Sequence, residues 1–139
     1  MPSKHVHAGS GIAFLTTDEV VRLHHHAIAR HGGSLGIRDA GLLDSAVHSP
    51  QGTFGGGYVY GDIFEMAAAL LQHLICNHAF VDGNKRTAWY ATKAFLLLNG
   101  YSCKPRRKDL VESMVAIADG RLRGKLDIAA WLRDESEES

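Results

Sequence analysis

The sequence predicts an all-α fold, a helical bundle with one small Gly-rich excursion that could form a β-hairpin. Apolar residues recur at helical spacing in successive segments, no alternating strand series, heptad or internal repeat occurs, and glycine is concentrated in one short stretch. With 139 residues, 45% of them apolar and 22% charged, the chain fits a single soluble domain with one core. The organisation expected is a flexible N-terminal segment over 1–13, the domain over 14–134 and a flexible acidic tail over 135–139.

The first helix is read from TTDEVVRLHHHAIARHGG. Thr16 and Glu19 have capping-box spacing, Val20, Leu23, Ala27 and Ile28 recur at helical period, and Gly32-Gly33 supplies a stop. After SLGIRD, the segment AGLLDSAVHS predicts a short helix with Leu42, Leu43, Ala46 and Val47 facing inward, closed by Pro50. The excursion QGTFGGGYVYGD holds five glycines and three aromatics without period, so it is expected to be mobile, with Tyr58, Val59 and Tyr60 as its strand-like part. A plain surface linker is the competing reading.

Asp62 and Glu65 repeat the capping spacing ahead of IFEMAAALLQHLICN, a strongly apolar helix expected at the centre of the domain. A polar loop follows, then TAWYATKAFLLL as a second apolar helix stopped at Asn99-Gly100. Beyond an extended YSCKP come two further helices, DLVESMVAIADG and LDIAAWLRDE.

Composition also excludes several classes. Fifteen basic residues balance fifteen acidic ones, so no global field recruits nucleic acid or an anionic membrane. The local run Lys104 to Lys108 reads as a solvated turn, and nucleic acid is not an expected partner. The longest apolar run, MAAALL at 66–71, is far too short to span a bilayer, and the N-terminus has no signal-peptide core, so a cytoplasmic protein is expected with no membrane partner. Cys76 and Cys103 form no CxxC pair and read as reduced thiols. His24, His25 and His26 are consecutive, pointing about 100° apart on a helix, so they cannot converge on one ion. Solvated or partly packed rings are expected there and in His5 and His7.

One loop, HAFVDGNKRTA, collects a His, an Asp, an Asn, a Lys and an Arg between two apolar helices. It is either a polar surface turn, with His78 and Asp82 capping helix ends, or a site. The site reading rests on the start of the second helix, where free N–H groups and the dipole favour an anion. Gly83 allows close approach, Lys85 and Arg86 add two cations, and Asp82 fits beside an anion only if a divalent ion such as magnesium stands between them. His78, with an ordinary pKa near ~6.5, can accept a proton from a hydroxyl. These parts match metal-assisted phosphoryl or nucleotidyl transfer and require that imidazole, carboxylate and cations share a hollow. The loop lacks Walker spacing, and no Ser-His-Asp nucleophile is signposted.

HAFVDGNKR resembles the Fic signature H-P-F-x-[D/E]-G-N-G-R-x-x-R, most closely in its death-on-curing (Doc) branch. LGIRDAGLLDSAV, Pro50-Gln51, the F-x-x-A-A-A-L-L helix from Phe64 and FLLLNGY extend the resemblance over roughly residues 14–130. It implies His78 as general base, Phe80 packed beneath the loop, Asp82 as magnesium ligand, and Gly83, Asn84, Lys85 and Arg86 lining an anion hole for nucleotide phosphates. The Gly-rich stretch, with Gly57, Tyr58, Val59 and Tyr60, falls where the family places a flap that pairs with a target segment by strand addition.

Two departures from the AMP-transferring pattern matter. Lys85 stands where the signature has its second Gly, and Trp89 where it has its final Arg; Ala79 in place of Pro matters little. In Doc proteins with such a Lys, ATP binds reversed, so the resemblance implies γ-phosphate transfer: a protein kinase using ATP and Mg2+. The implied target is a threonine of elongation factor Tu, with inhibition of translation. The implied setting is a toxin-antitoxin pair in which an antitoxin's disordered C-terminal segment folds on binding; no inhibitory S/T-x-x-x-E-G/N motif occurs in this chain. An AMP transferase, and a non-catalytic interaction module using Lys104 to Lys108, remain the alternatives.

Overall fold

The computed structural model describes residues 11–139. In chain order the elements are α1 (Thr17–His31), α2 (Ala40–His48), a 3-10 turn (Ser49–Gln51), β1 (Thr53–Phe54), β2 (Gly57–Tyr58), α3 (Ile63–Cys76), α4 (Asn84–Leu98), β3 (Tyr101–Cys103), α5 (Arg107–Ala118), α6 (Lys125–Asp134) and β4 (Ser136–Glu138). The fold is therefore the expected helical bundle carrying a small hairpin.

Each helix start follows local chemistry. Thr16 and Glu19 form the full capping box of α1, while the Asp39 and Asp62 side chains accept from the backbone N–H groups of Leu42 and Glu65 to cap α2 and α3. Nine of the 14 residues of α3 are buried, which only the innermost helix of a bundle can sustain, and it packs against α2, α4, α5 and α6. Leu70, Leu71, Leu74 and Ile75 are almost wholly enclosed, so truncating any one to Ala costs about 2–5 kcal/mol.

Three local expectations change. Leu42 is 38% exposed, because the inward stripe of so short a helix holds only Leu43, Ala46 and Val47. In the hairpin, Thr53 and Phe54 pair with Tyr58 and Gly57; Val59 and Tyr60 lie beyond the strand, although the Val59 N–H still donates to the Gly52 carbonyl at 2.8 Å. The acidic end is not a loose tail: Ser136, Glu137 and Glu138 pair antiparallel with Cys103, Ser102 and Tyr101. A backbone ladder needs no apolar side chains, so this pairing leaves no hydrophobic signal in the sequence.

The N-terminal segment expected to be flexible, including His5 and His7, falls mostly outside the described residues. Of its last part, Ala13 is buried, and the Asn99 side chain both accepts from the Ala13 N–H and donates to its carbonyl, each at 2.9 Å. No helix among the described residues is long and apolar enough to cross a membrane.

Candidate functional site

The polar loop runs between the last turn of α3 and the first turn of α4. Asn77 closes α3, and His78 then takes φ 48°, the one positive φ outside glycine among the described residues. For an L side chain that region costs about 1–2 kcal/mol, so something outside the loop must hold it. The segment joining α1 to α2 does so. The N–H groups of Arg38 and Asp39 both donate to the Ala79 carbonyl (2.7 and 3.1 Å), the Val81 N–H donates to the Gly36 carbonyl (3.0 Å), and Ile37 forms a β-bridge with Phe80.

Phe80 lies beneath the loop, 2% exposed, and the His24 ring stacks on it at 3.9 Å with planes 8° apart. His24 Nε2–H donates to the Asp82 carbonyl at 2.8 Å, which fixes the proton on that nitrogen because a carbonyl only accepts. The middle residue of the His24-His25-His26 run is exposed, as is its last; the first, at 1% exposure, is a buried support of the loop rather than a solvated ring. Its signal was available in the sequence, since His24 falls between Val20 and Ala27 on the inward stripe of α1.

Asp82 is exposed, and its carboxylate accepts from the N–H groups of Gly83 (2.9 Å) and Ser34 (3.2 Å), leaving lone pairs facing solvent. A hard, exposed, pre-oriented carboxylate suits magnesium, which is held through one or two carboxylates plus substrate phosphates and water. Gly83 takes φ 75° as the N-cap of α4 and gives no side-chain cap. The first helical bond runs from the Thr87 N–H to the Gly83 carbonyl, so the N–H groups of Asn84, Lys85 and Arg86 precede the ladder. The Asn84 side chain is spent on the loop itself, donating to the Phe80 carbonyl and accepting from its N–H. Any anion would therefore meet its backbone.

Lys85 and Arg86 are exposed and line a groove of about 780 Å³ between α1, α4 and α5. Arg30, His31, Lys93 and Arg107 join them around an apolar floor that includes Leu23, Trp89 and Met114, and among the described residues no Asp or Glu lines it. Desolvation first, then the neighbouring charges of Arg86, Arg30 and Arg107, lower the pKa of the exposed His31 imidazole from its ordinary value. His78 and Asp82 do not line this groove. Of the expected site residues, Lys85 and Arg86 line this groove, while His78, Asp82, Gly83 and Asn84 belong to the loop and helix start that lead into them. From the basic run, Arg107 reaches the groove, and Arg106 pairs with Asp109 at 3.0 Å.

The hairpin is exposed around Gly57 and Val59, Tyr58 is half-buried with its ring 5.8 Å from that of Phe14, and Phe54 is 88% exposed. Burial raises the Tyr60 hydroxyl above its ordinary range.

The chain is similar to known proteins across this region. It is 58% identical over 69 residues to Toxin Doc of Mycolicibacterium smegmatis, covering 50% of this chain and 53% of that protein. It is 33% identical over 86 residues to Protein kinase doc of Escherichia phage P1, covering 62% of this chain and 68% of that one. The chain thus spans about half the length of the first relative and about two thirds of the second. The sequence profile of the Fic/DOC family matches residues 14–96, ending in the last turn of α4, and the chain belongs to that family.

Proposed function

We propose that this chain is a Doc-like toxin that transfers the γ-phosphate of ATP to a Ser/Thr hydroxyl of a translation factor. Elongation factor Tu is the proposed target and arrest of translation the proposed outcome. The names of the two relatives, a toxin and a protein kinase, support this reading. The observation that carries it is the mouth of α4: a helix start without a side-chain cap, with Lys85 and Arg86 in its first turn and His78 and Asp82 in the loop leading into it.

In this reading His78 removes the proton of the target hydroxyl as its oxygen bonds to the γ-phosphorus, while the bond to the β-phosphate oxygen breaks and ADP leaves. The amides of Asn84, Lys85 and Arg86 hold the phosphates, and the long side chains of residues 85 and 86 swing to them from the exposed surface. Asp82 would hold Mg2+, which supplies neutralisation of phosphate charge. Trp89 favours this over AMP transfer: it is 8% exposed with its ring 6.3 Å from that of Trp131, so the position of the signature's final Arg is packed and clamps no phosphate. The hairpin around Gly57 and Tyr58 would present an edge to an extended target segment. A cognate antitoxin, with a disordered C-terminal segment that folds on binding, would restrain the enzyme in the cytoplasm. The cationic groove with its apolar floor supports an acidic, amphipathic occupant of that kind.

The test supplies ATP labelled at the α or the γ position to the purified protein with its target. Label retained from the γ position only, and lost in His78→Ala, is the expected result; retention from the α position would establish AMP transfer instead. Growth arrest by His78→Ala would show that the histidine is not the mechanism.

A further inference from the structure

Resting on the reading of His78 as the base, we infer that Arg38 is the positioning residue that aims its imidazole. The Arg38 guanidinium donates through Nε to the His78 carbonyl at 2.7 Å and through Nη2 to the Asn77 carbonyl at 3.2 Å. The backbone N–H groups of Arg38 and Asp39 take the next carbonyl, that of Ala79. Three successive carbonyls are therefore gripped from one short segment.

That grip acts at the one non-glycine residue of positive φ among the described residues. A residue at φ 48° sends its Cβ along a different line from the helix it leaves, and the orientation of its carbonyl fixes the remaining torsion. Holding the carbonyls on both sides of the His78 Cα thus sets where the ring emerges. No carboxylate pairs with Arg38 among the described residues, so its bonds within the fold go to these carbonyls, where a cation also meets the negative end of α3. The planar guanidinium holds two adjacent carbonyls in a fixed relative geometry; a lysine ammonium, with freely rotating donors, does not. An ordinary helix cap would stabilise α3 without governing the torsions of His78.

The two roles separate in Arg38→Ala and Arg38→Lys of the full chain, compared with the unmodified protein. Three quantities are read: kcat and KM for ATP, the thermal midpoint, and the strength of the NMR cross-peak between the His78 amide and its own Hα, which is strongest at positive φ. In Arg38→Ala the expected result is a loss in kcat of about 100-fold, the scale of a misplacement near 1 Å, with KM for ATP little changed. The His78 cross-peak weakens with it, and Arg38→Lys falls between the two. If Arg38→Ala is too unstable to study, the same measurements on Arg38→Lys decide. A folded variant that keeps either the cross-peak or kcat overturns the inference, as does a loss of kcat that only tracks the unfolded fraction. If the unmodified protein transfers no phosphate, the functional reading fails, while the cross-peak still decides whether Arg38 sets the torsion.

Discussion

Replacing His24 by Phe keeps an aromatic ring on Phe80 but removes the donor to the Asp82 carbonyl. That carbonyl is only partly buried, so leaving it unpaired costs about 1–2 kcal/mol rather than the full penalty of an enclosed group. His24→Ala also loses the stack and leaves a void; aromatic pairing adds roughly 1 kcal/mol and cavity formation more, for a total of about 3 kcal/mol or above. With a urea m-value near ~1.5 kcal/mol/M, the Phe variant should unfold at about 1 M less urea and the Ala variant at about 2 M less, with unchanged slopes. In the proposed reaction, with Asp82 as the Mg2+ ligand and anchored through this carbonyl, half-maximal phosphate transfer should need more Mg2+ in both variants. A Phe variant with the urea midpoint and Mg2+ requirement of the unmodified protein would refute the idea that His24 secures the loop through this bond.

Gly33→Ala would place a Cβ 2.7 Å from Asp82 Oδ2 at a backbone φ of 115°; about 1–3 kcal/mol of strain and a displaced carboxylate should appear as lower stability and, in the proposed reaction, a higher Mg2+ requirement. His73 Nδ1 is buried without a partner, and burial, with Lys125 adding to it, lowers the His73 pKa from its ordinary 6.5. Its neutral form is favoured by the fold, so its contribution is intact above 6.5 and is lost as pH falls from there through the lowered folded value. Urea midpoints measured down that range should therefore fall more for the unmodified protein than for His73→Gln; parallel curves would remove His73 as the cause. Cys103 is fully buried and Cys76 exposed, and burial is the chief cause raising both thiols. A thiol reagent should label Cys76 slowly in the native protein and Cys103 only on unfolding, whereas equal rates would mean that β4 does not close over β3.

Where neighbours in sequence decide the structure, the chain was readable. The Thr16–Glu19 box, the Asp62 cap and the apolar run of α3 each follow from contacts within one or two turns, and the loop from His78 to Arg86 declares its chemistry in nine residues. What stayed hidden depends on distant partners. Arg38 reads as an unremarkable loop cation until the fold brings the end of α3 beside it, forty residues on. Ser136 to Glu138 looks like solvated acid until the edge of β3 is present. His24 was obscured by its two exposed neighbours, although its spacing from Val20 and Ala27 gave it away. The groove could not be read at all, because it depends on how the side chains of α1, α4 and α5 converge.

The backbone bonds between 36–39 and 79–81 have a consequence for motion. Surface loops normally fluctuate one by one, with little free energy opposing each excursion. Here neither strip can peel away without stripping the other of its partners, so the two should open together, as one cooperative subunit of local unfolding. Hydrogen exchange at the amides of Arg38, Asp39 and Val81 should then be slow and share a single opening rate, despite their position in connecting segments.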